Sequence, residues 1–179
     1  TNATNTSTGD ITLGAVTGGN NTLTLTTENN IANANITASG NITGVTTLTL
    51  IGVGGTATLS GDVDVTTLTV GNTVANLAFT GNGSSVANAF DPNNDGTLTL
   101  GQSGGTQTFN NALNTSNVDG TVTINGTIAS SNDAITLGAF TLGSATTVDT
   151  NASGTSGDII LGGTITGGSN NLTLSTGDN

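Results

Sequence analysis

The sequence contains no lysine, arginine or histidine, and no cysteine, methionine, tryptophan or tyrosine. Each absence removes a class of chemistry. Without a cationic side chain there is no ion pair, no guanidinium clamp for phosphate and no neutralisation of a nucleic-acid backbone, so nucleic acid is not expected as a partner. Anionic membrane surfaces are disfavoured for the same reason. Without cysteine there are no disulfides and no thiolate metal sites. The usual general bases, nucleophile activators and cationic transition-state stabilisers are missing, which argues against an enzyme. No apolar run is long enough to span a bilayer as a helix. The chain does not open on Met and carries no recognisable signal peptide, so it reads as an excised or processed piece of something longer.

Other residue classes are scarce. Aromatics make up 2% of the 179 residues, charged residues 6%, and Pro92 is the single proline. The formal charge of −11 comes from ten Asp and one Glu, which makes a cation such as Ca²⁺ the natural small partner. Disordered chains combine low hydrophobicity with high charge and many prolines. This one instead places Leu, Ile and Val regularly among Thr, Gly and Asn, which points to a repeat.

The repeat is visible as seven tripeptides: Leu23-Thr24-Leu25, Leu48-Thr49-Leu50, Leu68-Thr69-Val70, Leu98-Thr99-Leu100, Val122-Thr123-Ile124, Val148-Asp149-Thr150 and Leu172-Thr173-Leu174. They step by 25, 20, 30, 24, 26 and 24 residues. A second apolar set, beginning with Ile11/Leu13, Ile36, Ala57/Leu59 and Leu77/Phe79, lies mostly 11 to 13 residues before the matching tripeptide, although Leu77 is 21 before Leu98. Between the sets lie turn-formers such as GGNN, GNGSS and TGGSNN. Apolar residues alternate with Thr, the pattern of a short half-buried strand. An antiparallel sandwich could be built from such strands, but it has no need of the same tripeptide in each. Stacked equivalent coils do. The expectation is an all-β fold, a single parallel β-solenoid domain over residues 1–179, with about seven coils of roughly 25 residues. Leu should lie on Leu inside and Thr on Thr outside, and Phe79, Phe90, Phe109 and Phe140 should plug the core.

A longer repeat overlies the short one. TGDITLGAVTGGNNTLTLTTENN from Thr8 and SGDIILGGTITGGSNNLTLSTGDN from Ser156 match after one inserted residue, at an offset of 148 to 149. The favoured explanation is a parent protein repeating in units of that length.

These two segments resemble the passenger repeats of filamentous-haemagglutinin-like and autotransporter surface adhesins of bacteria. The resemblance implies a right-handed parallel β-helix, an extracellular location on the bacterial surface, and a role in adhesion or surface coating. Lack of cysteine agrees with export through an outer-membrane pore. The expected function is a structural segment of such a protein, an adhesin stalk or surface coat. Its partners would be other copies or segments of the same surface protein, or a host or neighbouring-cell surface, with no direct membrane insertion. Alternatives are a subunit of a self-assembling extracellular filament or sheath, and an ice-binding solenoid using Thr-x-Thr columns.

Four features invite site assignments. In AFDPNNDGTLTLGQ the spacing Asp91-x-Asn93-x-Asp95-Gly96 matches the first half of a calcium loop, with Gln102 where the bidentate Glu would stand. Asp91, Asn93 and Asp95 are therefore the candidate metal ligands. The competing reading is an inserted turn, which the 30-residue step would explain. Asp62 and Asp64 share one face of a strand and could mimic a glycosidase pair, but nothing nearby would hold a sugar, so a solvated pair is expected. Thr22/Thr24, Thr47/Thr49, Thr67/Thr69, Thr97/Thr99 and Thr121/Thr123 would form two threonine columns on one face. Sequons at Asn35, Asn41, Asn82 and Asn125 are numerous enough to arise by composition alone.

Overall fold

The computed structural model describes residues 9–28, 32–151 and 157–177. Among them there are seventeen short strands and no helix. Every strand pair is parallel. Each coil turns three corners before returning above its start, so the chain winds as a three-faced β-solenoid.

The first face is the most regular. Its inward column runs Ile11, Ile36, Ala57, Leu77, Leu98, Val122, Phe140, Ile165, each paired with the next. The intervals are 25, 21, 20, 21, 24, 18 and 25 residues, so a coil is shorter than the expected 25 in most turns. The second face carries Ile42 on Val63, then Val65, Val86, Phe109 and Ser130, and beside them Gln107, Ile128, Val148 and Leu174. The third face stacks Leu23, Leu48 and Leu68 in the lower coils. In the upper coils it stacks Phe90, Leu113, Ile135 and Ile159. The two runs meet where Ala87 and Asn88 hydrogen-bond to Val65 and Thr66.

This register corrects the assignment of the tripeptides to a single column. Leu98-Thr99-Leu100 does not lie over Leu68-Thr69-Val70. It lies over Leu77-Ala78-Phe79 on the first face, with Val122-Thr123-Ile124 above it. The 30-residue step is therefore a change of face, and no loop is inserted: Leu77 to Leu98 is an ordinary coil. The odd spacing of 21 between those residues has the same explanation. At the far end Leu174, not Leu172, pairs with Val148.

The core is continuous from Leu25 to Val148 and made almost wholly of inward aliphatic residues. Three rings close its middle, one from each face. Phe90 stacks on Phe109 at 5.5 Å between centroids, and Phe79 meets both edge-on at 6.3 Å. Such offset and edge contacts add to the area that the rings bury. Phe140 is buried in the first face one coil above Val122.

Corners need backbone that approaches closely or turns left-handed. Gly61 lies against the backbone of Gly40 one coil below, where a Cβ would overlap the Gly40 carbonyl. Gly126 has φ of 65° and its missing Cβ would meet the carbonyls of Gln102 and Gly105.

Candidate functional surface

Three kinds of side chain are ordered by the stacking: outward threonines, corner amides and carboxylates, and a few buried polar groups.

The longest threonine column is on the first face: Thr12, Thr37, Thr58, Ala78, Thr99, Thr123, Thr141 and Thr166 lie on consecutive rungs. Adjacent rungs in a sheet are about 4.8 Å apart. The paired Thr-x-Thr columns expected from the sequence exist in shorter form. Thr22, Thr47 and Thr67 stack, as do Thr24, Thr49 and Thr69. Thr99 and Thr123 belong to the first-face column instead, with Thr97 and Thr121 beside them. Above Thr67 the neighbour is Asn88, whose Nδ2 donates to the Thr67 hydroxyl at 2.9 Å.

Corner side chains tie each coil to the next. Asp10 Oδ1 accepts from Asn35 N at 2.8 Å, Asn35 Oδ1 accepts from Thr56 N at 2.9 Å, and Asn76 Oδ1 accepts from Thr97 N at 3.0 Å. At another corner Asn41 Oδ1 accepts from Asp62 N at 3.1 Å, and Asp62 Oδ1 accepts from Gly83 N at 2.7 Å. At the corners these oxygens satisfy backbone donors that the ladder leaves over. Asp62 is thus committed to the corner, while Asp64 sits exposed at the rung of Ser85. Asp62 and Asp64 flank Val63 on the outer side of the strand, as the alternation implies. The sequon residues Asn35, Asn41 and Asn125 also have their side-chain amides in hydrogen bonds between coils.

Asp91, Asn93 and Asp95 are all exposed along the corner between the third and first faces. Both Asp91 oxygens accept from Asn117 Nδ2, at 3.0 and 3.2 Å, which links that carboxylate to the coil above. Asp95 N donates to Val74 O. The alternation that turns Asp91, Asn93 and Asp95 outward turns Asn94 inward, over Val74. Asn94 is fully buried and its Nδ2 donates to the carbonyls of Gly96 and Thr97.

Asn94 and Gln107 are two buried amides that sequence reasoning missed, alongside buried hydroxyls such as Ser84 and Ser130. Gln107 occupies an inward position beneath Ile128, and its Nε2 donates to Phe79 O at 2.8 Å. Asn94 Oδ1 and Gln107 Oε1 are buried without a hydrogen-bond partner. Gln107 lies in TQTFN, where alternation with Phe109 was the available signal that it points inward.

Among the described residues, surface depressions over the threonine faces lie open to solvent. One lies over Ala139, bordered by Thr121, Thr141, Thr164, Thr166 and Asp119. It offers hydroxyls and a single carboxylate, that of Asp119. No group of three or more acidic residues converges on a metal position among the described residues. Comparison of the chain with protein-family models, curated proteins and solved structures found no match.

Proposed function

We propose that the chain is a structural, non-enzymatic segment of a secreted bacterial cell-surface protein, a stalk or coat that holds other parts of the protein away from the cell. The observation that carries this reading is the unbroken first-face column, eight rungs from Ile11 to Ile165. At about 4.8 Å per rung it supports a stiff span of ~34 Å. A ladder held by backbone hydrogen bonds and aliphatic packing supports a mechanical role. The resemblance of the GDITLG and GDIILG segments to adhesin passenger repeats supplies the cellular setting.

Antibodies against the purified chain should label intact cells of the source organism, and protease added outside the cells should remove the label. Label found only after lysis would overturn the surface assignment. Electron microscopy of the purified protein separates the stalk from its alternative: isolated short rods fit a segment of a longer protein, and regular filaments would show a self-assembling subunit.

A further inference from the structure

The two near-copies of the long repeat occupy different faces. In the first copy Ile11 lies on the first face, Val16 on the second and Leu23 on the third. In the second copy the corresponding strands are shifted together: Ile159 lies on the third face, Ile165 on the first, and Leu172–Ser175 on the second. The turns between them shift too. Thr17-Gly18-Gly19-Asn20-Asn21 makes the corner from second to third face, while Thr166-Gly167-Gly168-Ser169-Asn170-Asn171 makes the corner from first to second. Each keeps a left-handed glycine, Gly19 at 58° and Gly168 at 57°.

The interval from Ile11 to Ile159 is therefore six and two-thirds coils, because the seventh complete coil on the first face closes only at Ile165. A repeat that is not a whole number of coils requires a module indifferent to the face on which it starts. The physical chemistry supplies that indifference. All three faces are built mainly the same way: apolar residues inward at alternate positions, mostly Thr outward, and a rung of parallel backbone above or below, with Gln107 and Ser130 as inward exceptions on the second face and Ile160 an outward one on the third. No side-chain ion pair distinguishes one face from another, since the chain has no cation. Register is set by the pleat and by corner geometry, both of which the module carries with it.

We propose that this strand–turn–strand–turn–strand module is face-neutral, and that the long repeat carries its exterior groups one third of a turn around the axis at each recurrence. Equivalent Thr-Gly-Gly turns then look out from different sides of one rod, so a partner reading that turn meets it from more than one direction. The inference does not depend on the surface function proposed above.

The chain lacks cysteine, so paired cysteines report register cleanly. Thr136→Cys with Ile160→Cys, and Thr141→Cys with Thr166→Cys, should each cross-link with a short bis-maleimide. Thr141→Cys with Ile160→Cys should not, and cross-linking of that pair would overturn the phase shift. Neutrality itself is tested by replacing residues 9–25 with the sequence of 157–174. The exchanged module should fold on the first face, with the residue derived from Ile160, changed to Cys, cross-linking to Thr37→Cys. A cooperative melt with that cross-link supports the proposal. Loss of the cross-link in a chain that still melts cooperatively would overturn it, as would loss of the cooperative melt while each single-cysteine chain keeps its own.

Discussion

At the scale of single residues, stability rests on positions where the backbone leaves no room. Gly126 is both left-handed and pressed against two carbonyls of the preceding coil. Gly126→Ala is expected to cost about 2 kcal/mol or more, combining the left-handed penalty with the overlap, and urea denaturation should show it as a lower midpoint. Gln107 points the opposite way. Its Oε1 is unpaired, and the carbonyl that its Nε2 reaches, that of Phe79, also accepts from Gly101 N at 2.9 Å. Removing a buried group that lacks a partner is near neutral or favourable when the shape is kept. Gln107→Leu should leave the unfolding free energy unchanged or raise it by about 1 kcal/mol, whereas a loss of more than about 1 kcal/mol would mean that the amide holds the coil together.

At the scale of elements, the strand pattern was readable because apolar and Thr positions alternate with period two, and Gly and Asn mark the corners. The register was not readable, because Leu-Thr-Leu serves equally on every face. Leu48 to Leu68 remains on the third face, and Leu98 to Val122 on the first, yet Leu68 to Leu98 changes face with no change in the motif. Counting tripeptides therefore lengthened the coil and produced an insertion at Asp91–Asp95 that does not exist. The outward placement of Asp91, Asn93 and Asp95 followed from the same alternation, but Asn117 as a partner of Asp91 did not, since the two are joined only by stacking at a separation of 26 residues. The true interval has a direct consequence. Deleting residues 36–56, one coil by the first-face register, brings Ala57 over Ile11 and should leave a folded solenoid with a smaller urea m-value. Deleting residues 36–60, the same cut by the tripeptide spacing, removes the first-face strand Val53–Leu59 and Ser60, and should broaden or abolish the cooperative transition, read by circular dichroism during denaturation.

For the whole molecule, charge is the unbalanced quantity. A net −11 with no internal cation leaves carboxylates to be met by amides, backbone donors and ions from solution. Calcium at Asp91, Asn93 and Asp95 would have to draw Asp91 from the Asn117 amide. If the ion is held there, millimolar calcium raises the melting temperature and Asp95→Ala abolishes the rise. A melting curve unmoved by calcium, chelator and Asp95→Ala leaves these residues as an ordinary corner.

The strands run across the axis and their hydrogen bonds lie along it, which fixes how tension would undo the molecule. A pull applied to the two ends peels one turn at a time, because each rung is loaded only after the rung outside it has gone. Under an atomic force microscope the trace should be a sawtooth of many small peaks in place of a single large one. Each peak should release about 70 Å of slack, the extended length of a 21-residue turn. Such a rod should yield stepwise under load, and on release should wind each turn back onto the intact stump.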